Sequence, residues 1–277
     1  MHFVCCIKQV PDTAEIKIDP QTNTLIRSGV ASISNPFDMV ALEAALRLKE
    51  QHDAHITAIS MGPPQSGQAL REALSLGADD AVLLTDRLFA GADTLATSYT
   101  LFKAIERLNA ERPVDLIFCG KQAIDGDTGQ TGPGLATRLE YNLFTYVYEI
   151  QEIDEAKRQI QVKRKIDGGV EVIRGGLPAL LTIELELGKP RRASLPLLIQ
   201  SLRTDITQWD HQAIDADPML LGLKGSATWV KHIFGPPVRE GGPRYAVGGD
   251  PQSAVEQFLD AVFAEPNINV ELKHAEK

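Results

Sequence analysis

Leu116-Ile117-Phe118-Cys119-Gly120-Lys121-Gln122-Ala123-Ile124-Asp125-Gly126-Asp127-Thr128-Gly129-Gln130-Thr131-Gly132-Pro133-Gly134 is the stretch that decides the fold. Its apolar opening, with Val114 just before it, reads as a strand over 114–119 buried on both faces. A loop with five glycines follows, and a helix is expected over 135–140. A strand, a glycine loop and a helix in that order bring unpaired backbone N–H groups to the strand's carboxyl end, where open α/β sheets bind ligands. Gly126, Gly129 and Gly132 allow close backbone approach to phosphate, and Thr128, Gln130 and Thr131 add side-chain donors. Two other readings stand beside this one: a glycine-rich turn with no ligand, and a cation site on Asp125 and Asp127. Two carboxylates with one residue between them fall short of a hard-cation cage.

The N-terminal side repeats the same alternation. Residues 3–10 form a continuous apolar run, and 11–34 is looser, with turns at Asp19-Pro20-Gln21-Thr22-Asn23 and Ser28-Gly29. Asn35 offers an N-cap, with Pro36 at the first helical position and Asp38 placed as in a capping box, for a helix over 36–51. A strand over 56–61 stops at Gly62-Pro63-Pro64, a helix over 67–76 ends at Gly77, and a short strand follows at 81–84. Asp93 caps a helix running to about residue 109. Strands alternating with helices of this length imply βαβ units, right-handed crossovers and an open, mostly parallel sheet with helices on both faces.

Beyond 145 the pattern changes. Residues 146–153 and 159–165 alternate like paired strands, Asp167-Gly168-Gly169 suits a hairpin turn, and 180–187 is another extended run. Residues 188–205 set Pro190, Arg191, Arg192 and Pro196 around Leu195, Leu197, Leu198 and Ile199. From residue 235 the chain is rich in Gly and Pro, which reads as a linker to a last amphipathic helix over 253–264.

Composition narrows the function. The chain has 277 residues, 43% hydrophobic and 23% charged, with a formal net charge of -9. That suits a globular fold with a full core and argues against a nucleic-acid surface, which needs uncompensated Lys and Arg. The apolar start is too short for a membrane span and too quickly charged for a secretory signal, so no membrane insertion is expected and a cytoplasmic location is. Three cysteines and six scattered histidines form neither a disulfide framework nor a metal-ligand spacing. Walker A, G-x-G-x-x-G and G-x-S-x-G signatures are absent.

Several segments together resemble the β subunit of electron transfer flavoproteins over about 1–234. They are Val4-Cys5-Cys6-Ile7-Lys8-Gln9-Val10-Pro11-Asp12, Asn35-Pro36-Phe37-Asp38, Met61-Gly62-Pro63-Pro64-Gln65, Gly77-Ala78-Asp79, residues 120–127 of the quoted stretch, and Pro190-Arg191-Arg192-Ala193-Ser194-Leu195-Pro196. The resemblance implies an adenine nucleotide α-hydrolase-like domain over 1–204. It also implies a C-terminal arm over 205–277 that packs on an α subunit carrying the redox FAD. Adenosine contacts would fall at Cys6, at Asn35, Pro36, Phe37 and Asp38, and at Met61, with phosphates along Gly120, Ala123, Asp125, Gly126, Asp127, Thr128, Gly129, Gln130 and Thr131. Cys6 then faces the nucleotide rather than acting as a nucleophile, since no His or helix N-terminus nearby would lower its pKa. Asn35 can equally be a pure helix cap.

In that family the β-subunit site holds AMP in one branch and a second FAD in another. Thr24-Leu25-Ile26-Arg27-Ser28-Gly29-Val30, residues 84–94 and Gly222-Leu223-Lys224-Gly225-Ser226 are similar to the electron-bifurcating branch, which includes the nitrogen-fixation-associated FixA proteins, and favour FAD. Gly126 points the same way, whereas Gly129, Thr131 and Asp167-Gly168-Gly169 are closer to the AMP branch. With FAD bound, Thr94 and Thr97, one helical turn apart, could reach the flavin or its ribityl chain, or could be simple helix-start residues. The resemblance further implies NADH or an acyl-CoA dehydrogenase as electron donor and a quinone reductase, ferredoxin or flavodoxin as acceptor. Leu195, in a recognition segment over 183–205, would anchor a partner; its neighbours Leu197, Leu198 and Ile199 leave a core role open. A universal-stress-type nucleotide-binding module is the rival from another class. An adenylate-using ligase is disfavoured because no Ser-Gly-Gly-x-Asp loop follows the first strand.

Overall fold

A computed structural model describes residues 1–12, 17–18, 25–26, 31–231 and 250–264. The chain divides into two compact units, Met1–Phe234 and Gly235–Lys277. In the second, the described element is a helix, Pro251–Ala264. The expected turns at 19–23 and 28–29 lie outside the described residues.

The first unit is built on a nine-stranded sheet. Strand β1 (His2–Cys6) lies at its middle; the apolar run predicted over 3–10 breaks there, because the Lys8 N–H donates to Asp38 Oδ2 at 2.8 Å instead of to a strand. Strand β2 (Gln9–Pro11) turns away, and after two short strands, β3 (Lys17–Ile18) and β4 (Leu25–Ile26), it meets β5 (Ser32–Ser34) in an antiparallel ribbon. Helix α1 (Pro36–His52) returns the chain to β6 (His55–Met61), and α2 (Gly67–Leu76) leads to β7 (Asp80–Leu84). Helix α3 (Thr94–Glu111) then carries the chain across to β8 (Leu116–Gly120), on the opposite side of β1. After α4 (Thr131–Leu139) come β9 (Asn142–Asp154), β10 (Gln159–Ile166), β11 (Gly169–Gly176) and β12 (Ala179–Ile183). Helix α5 (Leu195–Arg203) precedes the edge strand β13 (Thr207–Trp209), and α6 (Gly222–Gly225) is a single turn.

The sheet order is β11-β10-β9-β12-β8-β1-β6-β7-β13, parallel from β9 to β13, with β10 and β11 antiparallel. Successive residues of β1 serve opposite layers. Phe3 and Cys5 join the core under α1 and α2, with Leu42 and Leu70, while Val4 joins the core under α3 and α4, with Ile105 and Leu135. Helices therefore cover both faces, as a two-sided apolar strand requires. This is the α/β sheet expected from the alternation of elements.

Beyond β1, further elements differ from the sequence-based expectation, among them three with a local reason. Helix α4 starts at Thr131, before Pro133 and Gly134, because Pro in a first turn loses no helical hydrogen bond. The run at 180–187 ends as strand at Ile183, and Leu185–Leu187 form a 3-10 turn. The excursion at 188–205 contains a regular helix, α5, with Ser194 capping Leu197 N–H at 3.4 Å.

Candidate functional site

The path of the chain reverses at β1. The units after it go first to β6 and β7 on one side, then cross to β8 and β12 on the other, so the carboxyl ends of β1 and β8 border a crevice at a topological switch point. Cys6 closes β1, Gly120 closes β8 and Met61 closes β6. Three of the segments singled out in the sequence thus meet along one sheet edge.

The start of α1 is stitched into this edge. Asp38 is buried and accepts from the N–H of Lys8 at 2.8 Å and from the N–H of Gly120 at 3.0 Å, tying the ends of β1 and β8 together. Burial pushes its carboxyl up to about 7, against the pull of those two N–H donors and the Asn35 amide. Asn35 is fully buried: its Nδ2 donates to Gln122 O at 2.9 Å and its Oδ1 accepts from Ile124 N–H at 3.3 Å. It occupies the N-cap position, but its side chain makes no capping bond, so the expected capping box is not formed. The side chains of Asn35 and Asp38 shape the glycine loop from beneath. A Cβ on Gly120 would lie 2.4 Å from Asp38 Oδ1 and 2.5 Å from Phe37 Cβ, so that position tolerates no side chain.

Beyond Gly120 the loop turns outward. Gly126 and Asp127 N–H both return to Ala123 O, at 3.3 and 2.9 Å, and Gly129 has φ +62°. Among the described residues the N–H groups of Thr128, Gly129, Gln130 and Thr131 have no acceptor in the chain, and the last of these opens α4. A Cβ on Gly126 would meet nothing within 4 Å. Free N–H groups on an open glycine loop at a helix start suit a phosphate or pyrophosphate. The loop carboxylates are engaged elsewhere: Asp125 pairs with Lys8 Nζ at 2.7 Å, and Asp127 accepts from Gln122 Nε2 at 2.8 Å. Among the described residues no group of three or more His, Cys, Asp or Glu side chains could hold a metal ion.

The cysteines sit under this edge. Cys119 is buried, and a hydrogen bond to Cys6 followed by burial raises its thiol well above the ordinary range; burial does the same for Cys5. Cys6 and Met61 are half-buried and pack on the core under α3 and α4. On the far side of the loop, Thr94 Oγ1 donates to Gln130 Oε1 at 3.0 Å, so the start of α3 reaches the glycine loop. Thr97 is one turn further along, with no hydrogen bond to the loop.

Residues 84–94 and 222–226, read separately in the sequence, pack together. Leu223 N–H donates to Ala90 O at 3.1 Å, and Asp93 N–H donates to Ser226 Oγ at 2.8 Å. Asp93 caps α3 through Leu95 and Ala96 N–H and also accepts from Thr228 N–H at 2.9 Å and Oγ1 at 3.0 Å. Gly222 has φ +50°, and a Cβ there would lie 2.1 Å from Leu88 O, which makes glycine obligatory. Thr24–Val30 lies outside the described residues except for the strand at 25–26.

Sequence reasoning left Lys8, Gln122 and Asn35's role as a stitch unassigned. Their signal was position: Lys8 and Gln122 are polar residues just after strands that end at the switch point, and Asn35 joins the ribbon strand β5 to α1. Leu195 is 68% exposed, which removes the core alternative.

Fold and crevice define a doubly wound α/β protein whose candidate ligand site is the crevice at the switch point of its sheet. The family model of the electron transfer flavoprotein domain matches residues 22–212. The chain is 46% identical over 276 residues to "Protein FixA" of Azotobacter vinelandii, covering 98% of each. It is 44% identical over 273 residues to the electron transfer flavoprotein subunit beta of Megasphaera elsdenii, covering 97% of this chain and 100% of that one. With the corresponding subunit of Clostridium acetobutylicum the identity is 49% over 231 residues, 83% and 86% of the two chains. The chain belongs to the electron transfer flavoprotein family, among its β subunits and FixA proteins, and its work is electron transfer.

Proposed function

We propose that this chain, paired with an electron transfer flavoprotein α subunit, holds FAD in the switch-point crevice and relays electrons between a donor, NADH or an acyl-CoA dehydrogenase, and quinone reductase, ferredoxin or flavodoxin acceptors. The observation that carries the cofactor assignment is the packed unit formed by residues 84–94 and 222–226. The two stretches that resemble the bifurcating branch support one another, and they seat the start of α3 so that Thr94 reaches the glycine loop. AMP would need only the adenosine side, at Cys6, Met61 and the 35–38 turn, and the phosphate loop. FAD extends further, and the start of α3, with Thr94 and Thr97, is the available continuation.

Each part of the chain has its task. Free N–H groups at 128–131 neutralise phosphate charge, assisted by the dipole of α4. The Asn35 and Asp38 side chains fix the loop's shape. Bound flavin supplies the redox chemistry, taking up a hydride and parting with electrons singly, while the protein sets its potential. Electron bifurcation is part of this proposal, on the resemblance to that branch. The exposed Leu195 is proposed as a partner anchor, and the C-terminal segment beyond residue 205 as the arm that meets the α subunit.

The test is to denature the purified αβ complex and identify the released nucleotides. Two FAD per complex is expected; one FAD with one AMP would overturn the cofactor assignment and leave the site standing. Gly126→Leu, where the protein leaves room for a side chain, should retain its melting temperature yet lose the β-site nucleotide. Full nucleotide content in that variant would remove the loop from the site.

A further inference from the structure

The cysteines are divided between the two faces of the sheet. Side chains alternate along a strand, so Phe3 and Cys5 of β1 lie in the core under α1 and α2, while Val4 and Cys6 face α3 and α4. On β8, Phe118 belongs to the first core, and Ile117 and Cys119 to the second. The parallel register pairs Val4 with Ile117 and Cys5 with Phe118, and its next step sets Cys6 beside Cys119. These two thiols are therefore neighbours on one face, joined by a hydrogen bond. Cys5 adjoins Cys6 in the chain, yet it points to the opposite face and is fully buried.

Adjacent strands run about 4.8 Å apart, inside the Cα separation of roughly 4.4 to 6.8 Å over which a disulfide can close. Asp38 already holds the ends of these same strands together through the Lys8 and Gly120 N–H groups, so the two sulfurs meet without rearrangement of the backbone. Access differs within the pair. Cys6 ends β1 at the crevice and is half-buried, whereas Cys119 is only 7% exposed. An open thiol backed by a covered one is the arrangement of a reacting cysteine and its resolving partner.

We infer that Cys6 and Cys119 form a modification site, a dithiol that a hydroperoxide converts to a disulfide when the crevice is empty. The gating by an empty crevice rests on reading Cys6 as a nucleotide contact, because a bound nucleotide would cover the thiol that reacts. The pairing of the two cysteines does not depend on that reading. In the first step the Cys6 sulfur attacks one oxygen of hydrogen peroxide, the O–O bond breaks, and the thiol proton leaves with the departing hydroxide as water, giving a sulfenic acid. In the second, the Cys119 sulfur attacks Cys6, and its proton leaves with the sulfenic hydroxyl as another water. Two thiols thus lose two electrons, and one peroxide becomes two waters. Cys5, on the other face, takes no part.

The test treats the purified αβ complex with hydrogen peroxide, blocks the remaining thiols with iodoacetamide and maps the cysteines by mass spectrometry without reduction. The expected product is a cross-link between residues 1–8 and the peptide carrying Cys119, with two hydrogens lost and reversal by dithiothreitol. It should persist in Cys5→Ala and vanish in Cys6→Ser. In Cys119→Ser the sulfenic acid has no resolving thiol, so dimedone should label Cys6. If these variants do not fold, fragmentation of the wild-type cross-link assigns the bonded sulfurs directly. Unreacted thiols, a bond through Cys5, or a Cys6 sulfinic acid formed without any disulfide would refute the dithiol. For the gating, the complex stripped of nucleotide by dialysis against potassium bromide should oxidise about tenfold faster than the same complex refilled with FAD or with AMP. Equal rates in the stripped and refilled forms would overturn the gating and leave the pair standing. A stripped complex that retakes neither nucleotide in its β site would overturn the functional reading and the gating with it, while the cross-link is still read from the masses.

Discussion

Asp38 shows how one side chain can set the pH response of a site. Its carboxyl links the ends of β1 and β8 through Lys8 and Gly120 N–H and is pushed up to about 7 by burial, from an ordinary 3.8. The folded state therefore holds a proton on Asp38 between about pH 4 and 7 that the unfolded chain releases. Its contribution to stability is fully present below the unfolded value and is lost as pH rises through the folded one, at about 1.4 kcal/mol per pH unit within the window. Asp38→Asn removes this titration, and because an amide offers one acceptor where the carboxylate offers two, it leaves Lys8 or Gly120 N–H facing a donor, a cost of about 1 to 3 kcal/mol. Denaturant unfolding of wild type and variant from pH 5 to 8 should show a gap that is widest at pH 5 and narrows toward pH 8. A gap independent of pH, or one that widens on the alkaline side, would refute the assignment. The capping-box expectation at 35–38 misread these residues for a physical reason: the partners of Asn35 and Asp38 lie some 80 residues away at Gly120, Gln122 and Ile124, where no local pattern can place them.

Helix α3 depends on a single carboxylate for both its cap and its neighbour. Asp93 accepts from Leu95 and Ala96 N–H and holds Thr228 by two further bonds. Asp93→Ala should cost about 1 to 2 kcal/mol, lower the melting temperature by roughly 2 to 8 °C, and open residues 222–229 to protease, while Asp93→Asn, still able to cap, should lose about half as much. A melting temperature unchanged to within a degree, with the 222–229 segment as resistant as before, would contradict the dual role. Elements of this kind were legible where the cue is local: Asp93 as a cap, Gly77 as a helix end, and alternating strands and helices as a parallel sheet. What was not legible depends on contact. Gly132 and Gly134 look like loop residues, yet they lie in the first turn of α4 because a Cβ on Gly132 would come within 2.9 Å of Thr182 Cγ2, and one on Gly134 within 3.2 Å of Ser98. Helix α5 was hidden by two prolines and two arginines that read as a stiff, solvated excursion, since nothing local reveals that Arg191 reaches Glu43 and Arg71 reaches Ser201.

At the scale of the whole molecule the unresolved demand is exposed apolar surface. Within the first unit Met219, Leu223, Trp229 and Val230 are all more than 60% exposed, grouped after β13 and held in place through Thr228 and Asp93. Large contiguous apolar patches on soluble proteins mark sites of association. The proposed α subunit is the natural occupant, because the same segment belongs to the arm expected to meet it. The chain's two tryptophans make this measurable, as they sit in opposite environments. Trp209 is buried on β13 beneath the Arg107 guanidinium, 4.4 Å from the ring centroid, whereas Trp229 is 77% exposed. Acrylamide should therefore quench the free chain mainly through Trp229, and adding the α subunit should protect most of that emission; Trp229→Phe should abolish the protectable fraction. The melting temperature should rise with α-subunit concentration, by the equivalent of about 2.7 kcal/mol when the free partner exceeds its Kd a hundredfold. A complex that forms with Trp229 still fully quenched would place the interface elsewhere. A monodisperse β chain at micromolar concentration whose stability ignores added α subunit would overturn the pairing itself.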